Sequence, residues 1–322
     1  MFSSTIYKNL LSVCRELIGL PAAWRGEVPV AYIGRPNLMA RAAHKPDVAI
    51  RDLNSIADLQ LALQVEKEVW ELEDADLTPL TLAIASRAAG SIWLGAFDQK
   101  ALVGFAFALP SLEQGRVGFH SHMLAVRASH REHRVGYQLK LAQRQRALAL
   151  GINEMTWTFD PLRSRNAHLN FSRLGVISGS YRIDFYGPRT SSPLHTNGTD
   201  RLWVTWHMAD ARVEERLSGK DIRAEVIDAL AHIEPLVRFD GDGKPAEGDL
   251  AQALGRQRIA IEIPGHIDRL ESHDRELAHQ WRLATRRAFT EALNAGFLVS
   301  EFCRSIRGQQ GPSAYLLEKR SQ

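Results

Sequence analysis

Apolar positions along residues 48–208 recur alternately at a period of two and at a period near 3.6, so strands and helices interleave. Val48, Ala49, Ile50 and Arg51 predict a short strand. Across residues 55–70, Ile56, Leu59, Leu63 and Val69 share a helical spacing. Thr78 and Pro79 predict the start of a second helix, with Thr78 as N-cap and Pro79 in the first helical position, where a missing amide hydrogen costs nothing. Residues 91–97 and 101–109 are apolar runs around Asp98, Gln99 and Lys100, the pattern of a hairpin. Another strand is predicted over 118–126. A helix over 135–150 stops at Gly151, a strand follows over 154–159, and a helix over 161–174 stops at Gly175. Strands near 176–186 and 202–208 complete the series.

This succession defines an α+β, or mixed α/β, domain over 48–208, a mostly antiparallel sheet flanked by helices. Residues 1–47 read as an N-terminal extension, poor in acids and broken by prolines, with one amphipathic helix predicted over residues 5–20. Residues 209–257 read as a linker region, with a helix over 221–232 and a turn-rich stretch over 239–249. A smaller C-terminal α+β module over 258–322 follows. It has a strand at 258–263, a long helix at 274–295 and strands at 297–304 and 313–319. Leu277, Trp281, Ala284, Ala288 and Ala292 share one face of that helix, while Arg282, Arg286 and Arg287 are expected as solvated charges. The helix needs a sheet to cover, and few local strands are at hand, so the module is expected to dock on the preceding domain. No internal repeat is visible in the sequence.

At 322 residues, 45% apolar and 24% charged, the chain has material for more than one unit. It lacks an apolar run of the roughly 18 residues that a membrane helix needs. Lys8, Arg15 and Glu16 interrupt the first apolar residues before a secretory segment can form, so a cytoplasmic protein is expected. Cys14 and Cys303 fit a reducing compartment, and neither has ligand neighbours at zinc spacing, so no metal site is expected. A net charge of +3 admits an anionic ligand. No nucleic-acid reader motif accompanies it.

The most informative stretch is residues 123–150. An apolar strand runs into a short basic loop, and a helix begins near Gly136. The first amides of a helix lack partners and its dipole favours an anion, so a pyrophosphate fits there. Arg127, Arg131, Arg134 and Lys140 are expected to add positive charge around it.

Here the sequence resembles the GNAT acetyltransferase superfamily, whose hallmark is Q/R-x-x-G-x-G/A between a strand and a helix. Arg131 and Gly136 match its first and last positions, and Arg134 stands where the middle glycine is usual. GFHSHMLAV from Gly118, WTFDPL from Trp157, NAHLNFSRLG from Asn166 and GTDRLWVTW from Gly198 extend the resemblance over about half the chain, toward an uncharacterised branch with a C-terminal extension. The resemblance implies an acyl-CoA-dependent N-acyltransferase, acetyl-CoA being the default donor and an amine on a small molecule or protein the acceptor. It implies cofactor contacts at Leu124, Val126, Arg131, Arg134, Val135, Gly136 and Asn166. An arginine there with ordinary helical torsions can still present its amide, and its side chain can reach a phosphate.

Acyl transfer to an amine needs a proton acceptor, oxyanion stabilisation and an exit for the thiolate. His120 and His122 sit two apart on the predicted strand and so share a face, beside the strand the resemblance assigns to the acyl group. His122, nearer the motif loop, is the preferred base. Asp160 is a further candidate, though Asp before Pro161 also suits a helix N-cap. The family's tyrosine acid, four residues before a glycine, falls on Phe171, leaving Tyr181 and Tyr186 as nearby phenols. Trp70, Glu73 and Asp74 lie on the loop that the superfamily uses to line its acceptor site, and the acids there suit a cationic amine. The alternative is a non-catalytic acyl-CoA-binding or regulatory module, which Arg134 and Phe171 favour.

Overall fold

A computed structural model describes residues 47–187, 192, 195–308 and 311–320. The helix expected over residues 5–20 lies outside them. The described chain is mixed α/β, and its twelve strands form one sheet in the order β1-β2-β3-β4-β5-β7-β6-β11-β12-β10-β8-β9.

β1 (Val48–Asp52) leads through the capping box of Ser55 and Asp58 into α1 (Ile56–Trp70). Glu71, left-handed at φ 51°, ends that helix. α2 (Leu80–Ala88) starts one residue later than expected and has no side-chain cap. Thr78 is drawn away from capping, because its hydroxyl and amide both bond Oε1 of buried Glu66 at 2.9 and 3.2 Å. β2 (Ile92–Asp98), β3 (Ala101–Glu113) and β4 (Arg116–Val126) form an antiparallel meander. Gln114 and Gly115, at φ 51° and 78°, make its second turn, the left-handed pair that a two-residue hairpin needs. α1 and α2 cover one face of this meander through Leu59, Val65, Phe105, Phe107 and Met123. α3 (Val135–Ala149) covers the other through Val135, Leu139 and Ala147.

β5 (Glu154–Phe159) is parallel to β4 and antiparallel to β7 (Arg201–His207), which pairs with β6 (Ile177–Arg182). The helix expected over 161–174 differs. Asp160 accepts from the Leu162 amide, α4 (Ser164–Ala167) lasts one turn, and a π-helical turn, His168–Arg173, completes the span. Asn170 explains the wide turn in part: it lies inside the core, where its Oδ1 accepts from Trp157 Nε1 at 3.2 Å.

The region after Met208 is richer in structure than the sequence indicates. α5 (Ala211–Leu217) and α6 (Arg223–Ala231) precede a hairpin of β8 (Pro235–Phe239) and β9 (Pro245–Glu247), then α7 (Leu250–Leu254). The turn-rich stretch is the tip and second strand of that hairpin, with Asp240 Oδ1 accepting from the Asp242 and Lys244 amides. β10 (Arg258–Ile263), α8 (Ile267–His273), α9 (Arg275–Asn294), β11 (Phe297–Cys303) and β12 (Ser313–Lys319) follow.

The backbone carries a repeat that the residues hide. β4 is parallel to β5, and β5-β7-β6 are successively antiparallel. Likewise β8 is parallel to β10, and β10-β12-β11 are successively antiparallel. The two sets meet where β6 pairs antiparallel with β11, at Ser178 and Val299, so they are related by an approximate twofold through that contact. The second set has no basic loop. Its helix α7 is capped by the Asp249 carboxylate, which accepts from the Gln252 amide and takes the place an anion would need.

Candidate functional site

The loop after β4 delivers an open helix terminus. The Arg127 amide still bonds Val103 O at 2.9 Å, and a 3-10 turn, Ala128–His133, carries the chain to Arg134. Arg134 does not have helical torsions. It is left-handed, φ 61° and ψ 17°, the conformation that glycine supplies without steric cost. Arg134 holds this conformation at a cost of about 1 kcal/mol. No side chain caps α3, and the first helical bond is Gln138 N to Arg134 O, so the amides of Val135, Gly136 and Tyr137 have no partner within the helix.

The side chains sort unevenly around this terminus. Arg127 is spent on Glu68 and on Leu102 O, each at 2.9 Å. Arg131 braces the turn from Nε to Val126 O at 3.1 Å. Arg134 and Arg173 lie 5.1 and 5.7 Å from the Tyr137 ring, cations that flank the first turn. A Cβ on Gly136 would meet Leu124 at 3.7 Å and Val126 at 3.9 Å, so those strand residues lie directly under the helix start. Leu124, Val126, Arg131, Arg134, Val135 and Gly136 are therefore brought together. Asn166 is exposed on α4, next to Arg165, whose guanidinium is 4.0 Å from Glu132 of the turn.

Lys140 corrects one expectation. It does not add charge to the loop: it is buried one turn further along α3, with Nζ 2.7 Å from Ser121 Oγ and 3.6 Å from the Trp157 ring centroid. Burial pushes its pKa well below the ordinary lysine value. Ser121 in turn donates to Gln143 at 2.9 Å.

These contacts lie at the apex of a fork. β4 and β5 pair only at Phe119–Met155 and His120–Thr156, and beyond that pair the strands part. A bulge in β4 marks the same place. Phe107 faces Met123 and Ala108 faces Ser121, so His122 is an extra residue with none opposite it. The strict alternation expected of this strand fails there. His122 is exposed, with its ring edge-on to Phe107 at 6.1 Å, although burial by the surrounding protein still lowers its pKa. His120 is half-buried, with Nδ1 2.9 Å from Thr156 Oγ1 and its ring 4.7 Å from Trp203. Burial first, then the charges of His122 and Lys140, lower its pKa to about 4. Thr156 Oγ1 donates to Glu113 Oε1 at 2.7 Å.

The remaining candidates lie around this fork or away from it. Asp160, at the end of β5, bonds Arg282 of α9 at 2.8 Å. Burial raises its pKa, and the Arg282 guanidinium overrides this, holding it at about 2. Phe171 is sealed between Phe159 and Tyr315, so position 171 offers no polar group. Tyr181 faces the Asp200–Arg286 pair instead, its hydroxyl 2.6 Å from Asp200. Tyr186 is exposed, stacked on His195, with Arg201 5.1 Å from its ring. Trp70 packs edge-on against Phe105, and its carbonyl accepts from Ser192 at 3.2 Å, which links the α1–α2 loop to the β6–β7 connection. Glu73 and Asp74 are exposed on that loop, Asp74 paired with Lys67. Arg282 and Arg286 are not solvated charges: Arg282 is 1% exposed, and Arg286 grips Asp200 with two bonds of 2.8 Å.

Sequence reading passed over Thr156, Glu113, Ser121 and Gln143. Thr156 and Glu113 are 43 residues apart, and only the register of three strands makes them neighbours. No helix among the described residues is long and apolar enough to cross a membrane.

Solved structures similar to this chain are GNAT-family acetyltransferases. The ribosomal-protein-S18-alanine N-acetyltransferase from Escherichia coli is 15% identical, covering 51% of this chain and 96% of its own, with a TM-score of 0.41. A GNAT family acetyltransferase from Elizabethkingia anophelis with acetyl-CoA bound is 14% identical, covering 50% and 97%, with a TM-score of 0.38. An acetyltransferase of the GNAT family from Streptococcus pneumoniae is 14% identical, covering 49% and 98%, with a TM-score of 0.41. No family model matches the chain, and no curated protein does.

Proposed function

We propose that this chain is a GNAT-type, acyl-CoA-dependent N-acyltransferase, with acetyl-CoA as the default donor. One observation carries the reading: a fork between parallel strands has an uncapped helix terminus along one arm and a pair of histidines at its apex. The amides of Val135, Gly136 and Tyr137 suit a pyrophosphate, with Arg134 and Arg173 beside them. Leu124 and Val126 suit the pantetheine arm along β4. The bulge at His122 takes a peptide group out of the ladder with β3, which suits the thioester oxygen.

In the reaction the acceptor nitrogen bonds to the thioester carbonyl carbon. The C–S bond then breaks, coenzyme A leaves as a thiolate, and the nitrogen loses a proton. A neutral imidazole of the His120–His122 pair takes that proton and passes it to the thiolate or to solvent, so the products are an amide and free coenzyme A. Asp160 is held ionised by Arg282 and serves the fold in this reading. Trp70 and Glu73 line the acceptor side, where an exposed carboxylate suits a cationic amine.

Calorimetry with acetyl-CoA, followed by thiol release across a panel of amines, tests the proposal. Binding with amine-dependent release supports it. Binding without release under every amine supports the second reading, an acyl-CoA-binding module, which the apolar surroundings of Phe171 favour. Absence of binding removes both.

A further inference from the structure

We infer that Glu113 and Thr156 are positioning residues for His120, locking its imidazole with the proton on Nδ1 so that the Nε2 lone pair is the proton acceptor of the site. The inference rests on the acyltransferase reading and deepens it, choosing His120 over His122.

The Thr156 hydroxyl has one hydrogen, and it points to Glu113 Oε1 at 2.7 Å. A carboxylate only accepts. Thr156 Oγ1 can then meet His120 Nδ1 at 2.9 Å only as an acceptor, so Nδ1 carries the hydrogen. A neutral imidazole has one N–H, which leaves the lone pair on Nε2, at the far edge of the ring.

Position agrees with this chemistry. His120–Thr156 is the last pair before β4 and β5 part, so the relay sits at the apex of the fork. Trp203, 4.7 Å away and tilted by 33°, fixes the ring plane from β7. His122 has no such brace: among the described residues no side-chain hydrogen bond holds its ring, and the bulge sets it out of register. The charged and titratable groups around His120 are Glu113 on β3, His122 on β4 and Lys140 on α3. None of them disturbs a neutral imidazole near pH 7. When the acceptor amine bonds to the acyl carbon, its proton moves to Nε2 and the imidazolium then holds both hydrogens. Thr156 and Glu113 face the new cation across the Nδ1 side, and the proton leaves from Nε2 to the departing thiolate or to water.

Long-range proton–nitrogen correlation spectra of the full-length protein, 15N-labelled and at pH 7, read the tautomer directly. His120 is expected as the Nδ1–H form. Thr156→Val, close in shape, should shift it toward Nε2–H, and Glu113→Ala should give a mixture, while the His122 signals stay in place. An Nε2–H wild type, or a Thr156→Val protein with an unchanged tautomer, overturns the lock. With an amine found to support turnover, Thr156→Val should lower kcat at least about tenfold and leave the KM for acetyl-CoA unchanged, and His120→Ala should lower kcat about a hundredfold or more. Full turnover by His120→Ala overturns the choice of base. Calorimetry keeps the two readings apart: failure to bind acetyl-CoA sinks the acyltransferase reading and the base role with it, whereas the spectra alone decide the lock.

Discussion

Arg282, in the middle of α9, donates from Nη2 to Asp160 Oδ2 at 2.8 Å, joining the C-terminal helix to the end of β5 where solvent scarcely reaches. Arg282 Nε also donates to Asn197 O at 2.9 Å. The pair is part of a wider junction with Arg163–Glu271 and Arg286–Asp200. A buried pair of this kind contributes little net stability against an apolar replacement, but half of it leaves an uncompensated charge. Arg282→Met is therefore expected to lower stability by about 3–5 kcal/mol at pH 7. The double variant Asp160→Leu with Arg282→Met should recover much of the loss. Urea unfolding of the single and double variants checks this, and equal losses in both would refute the coupling.

The same pair sets an acid dependence. Asp160 is held at about 2 in the folded state, below the ordinary aspartate value, so its contribution is present above that ordinary value. It is lost as the pH falls from about 4 toward about 2. The stability gap between wild type and Asp160→Asn should accordingly narrow over that window and stay constant from pH 5 to 7. A gap that is flat down to pH 2 would show that Arg282 does not hold the carboxyl ionised.

How far the sequence reaches depends on where the forces are local. The strand–helix series to β5 was legible because each element writes its own period. The basic turn and its helix were legible for the same reason. Thr78 misled because Glu66, 12 residues earlier, competes for its hydroxyl. Arg282 misled because an arginine on a helix reads as solvated until a distant carboxylate, Asp160, is brought to it. The β8–β9 hairpin hid behind turn residues, since its strands are short. The relay at His120 was invisible in one half only: the histidine stood out, while Thr156 and Glu113 are ordinary residues until the register of β3, β4 and β5 is known.

Arg134 offers a test that separates backbone from side chain. At φ 61° an arginine pays a steric cost that glycine does not. Arg134→Gly should leave stability unchanged or raise it by up to about 1 kcal/mol. The same change removes a guanidinium from the helix terminus, and coenzyme A affinity should fall several-fold. Thermal unfolding and calorimetry on one sample decide it. Lower stability together with unaltered affinity would mean that the residue serves the loop and not the ligand.

Lys140 predicts a dependence of the opposite hand to that of a typical lysine. Its folded pKa lies well below that of the unfolded chain, so between the two the unfolded state binds a proton that the folded state does not. Stability then rises with pH, at up to about 1.4 kcal/mol per unit, until the unfolded lysine titrates near 10. Lys140→Met keeps the shape and removes this slope. The variant should be the more stable at neutral pH, with an advantage that shrinks as the pH rises toward about 10. Parallel urea midpoints across that range would place a charged ammonium against Trp157 instead.

Gly136 gives the sharpest separation of fold from binding, because one substitution acts on the two in opposite directions. It is the second residue of α3, and a Cβ there meets only ordinary contacts with Leu124 and Val126 at 3.7 and 3.9 Å. Glycine inside a helix costs about 1 kcal/mol relative to alanine, and an acid in the first turn gains a further 0.3–1 kcal/mol or so from the helix dipole. Gly136→Asp should consequently keep or raise the melting temperature. The carboxylate then stands where a pyrophosphate is proposed to bind, and like charges at a desolvated terminus repel. Acetyl-CoA affinity should fall by at least about tenfold, which is roughly 1.4 kcal/mol. Gly136→Ala, which adds no charge, should bind more tightly than Gly136→Asp. If the aspartate variant melts no lower than wild type and binds acetyl-CoA equally well, the anion is not held at this helix, and the fork loses its role as the cofactor site.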